Sequence, residues 1–199
     1  NNLLFEKAKY NLIQTPVSNT NNFYKKIEDI QLGNIIFEEI RRNNNKNILY
    51  AVTSKNLDNM HFVGQELYFE YIKNLKILDK IAQKKNFNII VKPHPNYMKF
   101  LNLFKKTFNK LKFKNLPISS LLKNTEITIS FSSTAIEDSL ASKIPVILFD
   151  PHKRYNHLSK LSNKEHKNWP IKYVTNEFSL CKLIYQFKKK KFNYDNFLF

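Results

Sequence analysis

The chain has 199 residues, enough for one globular domain, and its 42% hydrophobic and 14% aromatic residues exclude an intrinsically disordered protein. A formal net charge of +17 favours anionic ligands such as nucleotides and acidic sugars. The lysines are spread over every predicted helix rather than gathered on one surface, which argues against a nucleic-acid partner. The one cysteine, Cys181, excludes an internal disulfide and a cysteine-based zinc cluster.

The first part of the chain, residues 1–45, is predicted to be a linker followed by a helix over about residues 34–42. The opening is typical of a connection, so we expect a fragment of a longer protein with a partner domain upstream. Residues 46–199 are predicted to form the folded domain. No run of 18 apolar residues and no signal-peptide layout is present. The expected location is the cytoplasm, with peripheral association at the inner membrane as an open alternative for so basic a chain.

Strand and helix patterns alternate from residue 46 onward. Period-2 or continuous apolar runs predict strands at residues 47–52, 89–91, 127–131, 146–149 and 171–174. Helical spacing predicts helices at 62–84, 97–109 and 177–187, the last capped by Asn176, and a short helical turn at 117–122. Such alternation predicts an α/β fold, a Rossmann-like parallel sheet flanked by helices. Neither a Gly-x-Gly-x-x-Gly nor a Walker motif is present, so a dinucleotide oxidoreductase and a P-loop enzyme are not supported.

The strands at 127–131 and 146–149 are joined by one short helix and form a βαβ unit. Ser132, Ser133 and Thr134 occupy the turn between the first strand and that helix. Free backbone N–H groups and the positive end of the helix dipole favour an anion at such a place. We therefore predict that this turn holds a phosphate.

A second motif follows the strand at 89–91. Two prolines flank His94 and bias Lys92 and His94 towards extended backbone, so the strand should end in a stiff loop that presents the imidazole. Ligands of open parallel sheets lie beyond the carboxyl ends of the strands. We expect His94 to donate a hydrogen bond or charge to a leaving phosphate, with added charge from Lys92. The alternative is a solvated loop histidine and a surface lysine.

The other candidate residues also have simpler interpretations. Thr134 and Glu137 match a capping box, in which the two side chains satisfy helix N–H groups without a ligand. The competing hypothesis has Glu137 accept hydrogen bonds from ribose hydroxyls. Arg154 and His157, in the basic loop after Pro151, are candidates for a second anionic group, although basic loops are common in this chain. The histidines show no metal-ligand spacing, and we expect neither a metal nor a cofactor.

Together these motifs resemble the C-terminal, donor-binding domain of GT-B glycosyltransferases of bacterial surface and capsular polysaccharides. The resemblance covers about residues 46–190 and is carried by Lys92-Pro93-His94-Pro95, Ser132-Ser133-Thr134, Glu137 and Ile144-Pro145-Val146-Ile147. The sialyl-, polysialyl- and Kdo-transferases that use CMP-sugars are similar. CDP-glycerol glycerophosphotransferases and UDP-N-acetylglucosamine 2-epimerase are similar too.

The resemblance implies roles for four residues. His94 corresponds to a histidine that contacts the donor phosphate, Ser132 and Ser133 to serines that hold it, and Glu137 to a carboxylate that binds the ribose. Ser142-Lys143 departs from a turn that usually contains glycine. The implied function is binding of a nucleotide-sugar, with a CMP-sugar favoured, for transfer to a glycan acceptor. Without an N-terminal acceptor domain the chain is expected to be inactive alone. A glycerophosphotransferase, an epimerase, or a basic module that binds nucleic acid or glycan without chemistry stay open as alternatives.

Overall fold

The computed structural model describes residues 10–13, 28–31, 43, 47–52, 61–130, 133–153 and 168–194. The strands are β1 (Tyr10–Ile13), β2 (Glu28–Gln31), β3 (Asn47–Ala51), β4 (Asn88–Lys92), β5 (Leu111–Phe113), β6 (Thr125–Ser130), β7 (Val146–Phe149) and β8 (Ile171–Val174). The helices are α1 (His61–Lys85), α2 (Leu101–Thr107), α3 (Ile118–Leu122), α4 (Ala135–Ala141) and α5 (Glu177–Lys189), and a 3-10 helix spans Pro95–Phe100.

Six strands form one parallel sheet in the order β5-β4-β3-β6-β7-β8. The chain builds outward from β3 through β4 to β5, then crosses back to place β6 on the other side of β3. This order confirms the predicted Rossmann-like α/β fold. A separate parallel pair, β1 and β2, joins Tyr10 to Glu28 within the segment predicted as linker. The helix predicted at residues 34–42 lies outside the described residues.

Helices cover both faces of the sheet. On one face, α1, α2 and α5 pack against alternate strand residues such as Ile48, Ile89 and Ile129. On the other face, α3 packs on Leu49 and Ile90, while α4 packs on β7 and β8. All four residues of β7 are buried, as its continuous apolar run predicted for a strand covered on both sides.

Hydroxyl groups make β6 compatible with burial on its polar side. Thr125, Thr128 and Ser130 are fully buried, although their alternation with Ile127 and Ile129 looks amphipathic. Thr125 Oγ1 donates to the carbonyl oxygen of Leu121 at 2.8 Å, and Thr128 Oγ1 accepts from Ser139 of α4 at 2.8 Å. Buried polar groups with partners in this way avoid the cost of lost hydration.

Two local predictions need correction. The helix predicted at 97–109 is a 3-10 helix followed by the shorter α2, because its side chains fill the space between α1 and β5. Strand β5 was not predicted, since three residues give too short a pattern to recognise. The Asn176 cap is confirmed: its Oδ1 accepts a hydrogen bond from the Ser179 N–H at 2.8 Å.

Candidate functional site

The strand order reverses between β3 and β6. In open parallel sheets, the crevice outside the carboxyl ends of the strands at such a reversal is the usual ligand site. Ser130, the last residue of β6, donates from Oγ to the carbonyl oxygen of Ala51, the last residue of β3, at 2.9 Å. The bond is buried and fixes the two strand ends that form the crevice floor. Ser130 had no predicted role, because only its partner across the sheet reveals one.

The loop after β4 lies on one side of this crevice. Lys92, the last residue of β4, is half-buried, and its carbonyl oxygen accepts from the Val52 N–H at 3.3 Å, which ties β4 to the end of β3. Pro93 is buried, and half-buried His94 follows it. The predicted loop thus lies at the carboxyl edge of the sheet.

The backbone of His94 is hydrogen-bonded to Tyr97, a residue of a buried aromatic stack. The Tyr97 N–H donates to the carbonyl oxygen of His94 at 2.9 Å. Tyr97 is 1% exposed, and its ring stacks on Tyr71 of α1 with centroids 4.7 Å apart and planes at 11°. Stacked, buried rings have little freedom, so the backbone that carries the imidazole is held in place.

The environment of His94 lowers its pKa below the ordinary value. The main cause is partial burial, and the positive charge of Lys92 adds to it. The imidazole is therefore neutral at pH 7 in the absence of a ligand. A neutral imidazole keeps one N–H as a donor, and an arriving anion would favour its protonation.

The loop after β6 lies across β3 from His94. Neighbouring strands are about 4.8 Å apart, so the ends of β4 and β6 are separated by roughly 10 Å. Ser133 is half-buried, and its Oγ accepts from the Ala135 N–H at 3.3 Å at the start of α4. Thr134 is exposed and forms no side-chain capping bond, so the Thr134–Glu137 capping box is not present.

Helix α4 begins directly after this loop and is anchored to the sheet. It has seven residues, and its dipole is correspondingly short, so the hydroxyls and amides of the loop carry more of any anion binding than the helix does. Ser139 of α4 bonds to Thr128 of β6. Half-buried Glu137 lies in the first turn of α4, near the loop. Burial raises the pKa of its neighbour Asp138.

The structure thus brings four of the eight predicted site residues to the two loops that flank one crevice. Lys92 and His94 lie on the β4 side, and Ser133 and Thr134 on the β6 side, with Glu137 one turn into the following helix. Three predicted residues, Ser132, Arg154 and His157, lie outside the described residues.

Solved structures share this fold. A UDP-GlcNAc 2-epimerase from Methanocaldococcus jannaschii is 20% identical over 77% of this chain and 42% of its own, with a TM-score of 0.53. A second structure of that enzyme, in complex with UDP-GlcNAc and UDP, has a TM-score of 0.54 at 20% identity over 78% of this chain and 42% of its own. A variant of the wall teichoic acid polymerase TagF is 15% identical over 94% of this chain and 51% of its own, with a TM-score of 0.50.

The chain shares its fold with part of each of these enzymes. It spans less than half the length of the epimerase chains, and the identities are low enough that the likeness concerns the fold. No protein-family model matches the sequence. No curated protein sequence matches it either.

A further polar group lies at the end of β7, where the sequence indicated only a polar loop. Asp150 is 3% exposed, and its Oδ2 accepts from the Tyr173 hydroxyl at 3.2 Å. This carboxylate and burial raise the pKa of Tyr173 to about 12, with burial the larger cause. His152 follows two residues later, with Nδ1 3.9 Å from Glu70 Oε1 of α1. Asp150 therefore joins the end of β7 to β8, and the side chain of His152 lies beside Glu70 of α1.

Proposed function

We propose that this chain is the nucleotide-sugar-binding half of a GT-B glycosyltransferase of bacterial surface polysaccharide synthesis. The observation that carries the proposal is the strand order. It places the predicted phosphate-binding loops after β4 and β6 on the two sides of β3, at the edge where such sheets bind ligands. The structural neighbour in complex with UDP-GlcNAc and UDP supports a nucleotide-sugar as the ligand class.

In this proposal the donor phosphate lies between the two loops. His94 donates a hydrogen bond from one side, and Ser133, Thr134 and the nearby amides donate from the other, with Ser132 in the same loop. When the acceptor hydroxyl attacks the sugar, the bond from the anomeric carbon to the phosphate oxygen breaks, and its electron pair goes to that oxygen. Donors already in place stabilise the developing charge without reorganising. Lys92 adds positive charge nearby, and Arg154 and His157 are proposed to bind a second anionic group.

The remaining components of the reaction belong to the rest of the enzyme. Glu137 is proposed to accept hydrogen bonds from the ribose. The acceptor glycan and the catalytic base would come with an upstream domain, so the fragment alone is predicted to bind its donor without turnover. The proposed chemistry uses no metal and no cofactor. Among the described residues, none of the helices has the length and apolar composition needed to span a bilayer.

A CMP-sugar stays our first choice of donor on the motifs His94-Pro95 and Ser132-Ser133. A CDP-glycerol glycerophosphotransferase is the second candidate, because a TagF chain matches 94% of this one at a TM-score of 0.50. An epimerase acting on a UDP-sugar is the third, from the structures that match with TM-scores of 0.53 and 0.54. The three differ in base and in the group attached to the phosphate, so one binding series separates them.

The test is calorimetric titration with CMP, CDP, UDP and a short oligonucleotide at two salt concentrations. We expect selective binding of one nucleotide, weakened by His94→Ala and by Ser133→Ala. Lys99→Ala, an exposed lysine on the 3-10 helix, is the control and should leave the affinity unchanged. Binding of the oligonucleotide alone, with a steep salt dependence and no effect of the two variants, would favour the non-catalytic module instead.

A further inference from the structure

An apolar groove lies between α1 and α5, away from the crevice. It has a volume of about 330 Å³ and is lined by Ile81, Lys84, Lys85, Glu177, Phe178 and Cys181. The two helices lie side by side on the same face of the sheet. Lys80 Nζ is 2.8 Å from Glu177 Oε2 across the junction, so the one acidic residue that lines the groove is already paired.

The surface around the groove is strongly basic. The segment of α1 from Lys76 to its end and the whole of α5 contain seven exposed lysines and only two acidic residues, Asp79 and Glu177. The lysines are Lys76, Lys80, Lys84, Lys85, Lys182, Lys188 and Lys189. Asp79 accepts the backbone N–H of Lys110 at 3.0 Å, so both acidic groups have partners within the domain. Lys188 Nζ is 3.1 Å from Glu126 Oε2, so Lys80 and Lys188 are both paired within the domain and the other five lysines supply the positive charge for an external anion.

Exposed aromatic side chains accompany these lysines. Phe178 is 78% exposed and Tyr185 is 41% exposed, and with Lys182 they recur at i, i+4 and i+7 along one side of α5. Lys85 Nζ lies 5.8 Å from the centroid of the Tyr185 ring, and that ring packs against Phe87. The exposed ring of Phe178 and the groove that it lines form an apolar patch bordered by lysines, and apolar patches with a polar rim mark interaction surfaces.

We infer that this surface, the α1–α5 groove with its lysines and Phe178, docks the domain on an anionic phospholipid membrane. Aromatic rings enter the headgroup region of bilayers, and lysines beside them are attracted to anionic lipids. The groove is large enough for apolar groups of the lipid, and its rim is positive.

The distribution of charge and apolar area favours a membrane over the other anionic macromolecules. Duplex nucleic acid would use the lysines but not Phe178, and a single strand would stack bases on that ring but leave the apolar groove beside it unfilled. A protein partner would need a broader apolar patch than one groove with a single fully projecting ring. A lipid surface uses the positive rim and the ring together.

The inference does not depend on the proposed nucleotide site. The groove is lined by helix residues on one face of the sheet, whereas His94 and Ser133 follow the carboxyl ends of β4 and β6. Docking through the groove and nucleotide binding at the crevice can therefore be measured separately, and each can fail while the other holds.

The single cysteine of the chain makes a direct test possible, because Cys181 lines the groove. The wild-type chain is labelled there with an environment-sensitive fluorophore. It is then mixed with vesicles of phosphatidylcholine alone, or with roughly one third phosphatidylglycerol. We expect co-sedimentation and a blue-shifted emission with the anionic vesicles, and neither with the neutral ones. Added salt should weaken both the co-sedimentation and the blue shift, because it screens the attraction between the lysines and the anionic lipids.

Two variants test the named residues. Phe178→Ser should weaken binding to the anionic vesicles roughly tenfold or more, as expected for an aromatic ring that leaves water. The double change Lys84→Glu and Lys85→Glu should weaken this binding roughly 30-fold or more. Each lysine near an anionic surface contributes about 1 kcal/mol to the binding free energy, and two such contributions are lost. Both changes are at exposed or groove-lining positions, and urea unfolding checks that the fold is kept.

Matched controls come from two other helices. Leu103→Ser and the pair Lys105→Glu and Lys106→Glu change an exposed leucine, at 56% exposure, and two exposed lysines of α2, beside β5. They remove the same kind of groups without a groove. Cys181→Ser with Ser119→Cys moves the fluorophore to exposed α3 on the opposite face, where no blue shift is expected.

The inference is overturned if the protein does not bind anionic vesicles. It is also overturned if the α2 variants weaken binding as much as the groove variants, or if the Cys181 label shows no shift on bound protein. Nucleotide titration of the same groove variants should match the wild type. A wild-type chain that binds anionic vesicles but no nucleotide would count against the proposed function and leave the membrane inference standing.

Discussion

The Ser130 hydroxyl and the Ala51 carbonyl join the ends of β6 and β3 through a buried hydrogen bond of 2.9 Å, at the point where the strand order reverses. Removing a donor from a buried carbonyl leaves that group without compensation for its lost hydration. We expect Ser130→Ala to lower the free energy of unfolding by about 1–3 kcal/mol, measured by urea denaturation.

A hydroxyl elsewhere provides the control for this change. Thr107 Oγ1 also donates to a backbone carbonyl, that of Leu103 at 2.9 Å, but it is exposed. Water replaces such a bond, so Thr107→Ala should change the free energy of unfolding by less than about 0.5 kcal/mol. Equal losses in the two variants would contradict a special role of burial at Ser130.

The lowered pKa of His94 predicts a pH dependence of ligand affinity. The ligand-free imidazole is neutral at pH 7, whereas a bound phosphate favours the imidazolium and raises its pKa in the complex. Binding then takes up a proton, so affinity rises by up to about tenfold per pH unit as the pH falls from the pKa of the complex to the lower pKa of the free imidazole. The ligand should be an intact nucleotide-sugar, either a CMP-sugar or UDP-GlcNAc, because its esterified phosphates keep a constant charge near neutral pH, unlike the terminal phosphate of CMP, CDP or UDP.

Calorimetry in buffers of different ionisation enthalpy measures this proton uptake. His94→Gln keeps a donor but cannot be protonated, so its affinity should no longer depend on pH. His152→Gln, at the β7 turn, should keep the slope of the wild type. A wild-type affinity that is flat with pH would show that His94 does not change its protonation on binding.

The missing capping box makes Thr134 a clean probe of ligand binding. Its side chain forms no capping bond, so Thr134→Ala should change stability by less than about 0.5 kcal/mol while nucleotide affinity falls. Asn176→Ala is the matched comparison, because that side chain does cap α5 at 2.8 Å and its loss should cost about 1 kcal/mol. A Thr134 variant that loses stability like Asn176→Ala would restore the capping interpretation.

Two buried tyrosines, Tyr71 and Tyr50, should respond to loss of their hydroxyl groups with opposite changes in the free energy of unfolding. The Tyr71 hydroxyl is buried with no hydrogen-bond partner anywhere in the described structure, while the Tyr50 hydroxyl accepts from Asn74 Nδ2 at 3.4 Å. Tyr71→Phe removes an unpaired polar group and should raise the free energy of unfolding by about 1 kcal/mol. Tyr50→Phe leaves the Asn74 amide without its acceptor and should lower it by a similar amount. Urea denaturation of both variants measures the two signs.

The titration of these hydroxyls can be followed by absorbance. Burial, the largest cause, raises the pKa of Tyr50 to about 12 and that of Tyr71 well above its ordinary value, where neighbouring tyrosines add to the effect. Both should stay protonated through mildly alkaline pH while exposed tyrosines ionise. Early ionisation of either would contradict the buried placement.

Local pattern determined much of this protein. The apolar runs located β3, β4, β6, β7 and β8, the helical spacing located α1 and α5, and the Asn176 cap was identified from residue type alone. These features depend on neighbours along the chain, which a sequence displays. The strand β5 and the break between the 3-10 helix and α2 depend on packing against α1, and the sequence did not reveal them.

Only the tertiary structure decided how the site is assembled. His94 and Ser133 were candidates by motif, but their position on the two sides of β3 follows from the crossover that returns the chain to β6. The Ser130–Ala51 bond, the Tyr71–Tyr97 stack and the groove between α1 and α5 join residues far apart in the chain. Residue spacing records which side chains share an element, whereas the distances between elements are set by the packing of the whole sheet and its helices.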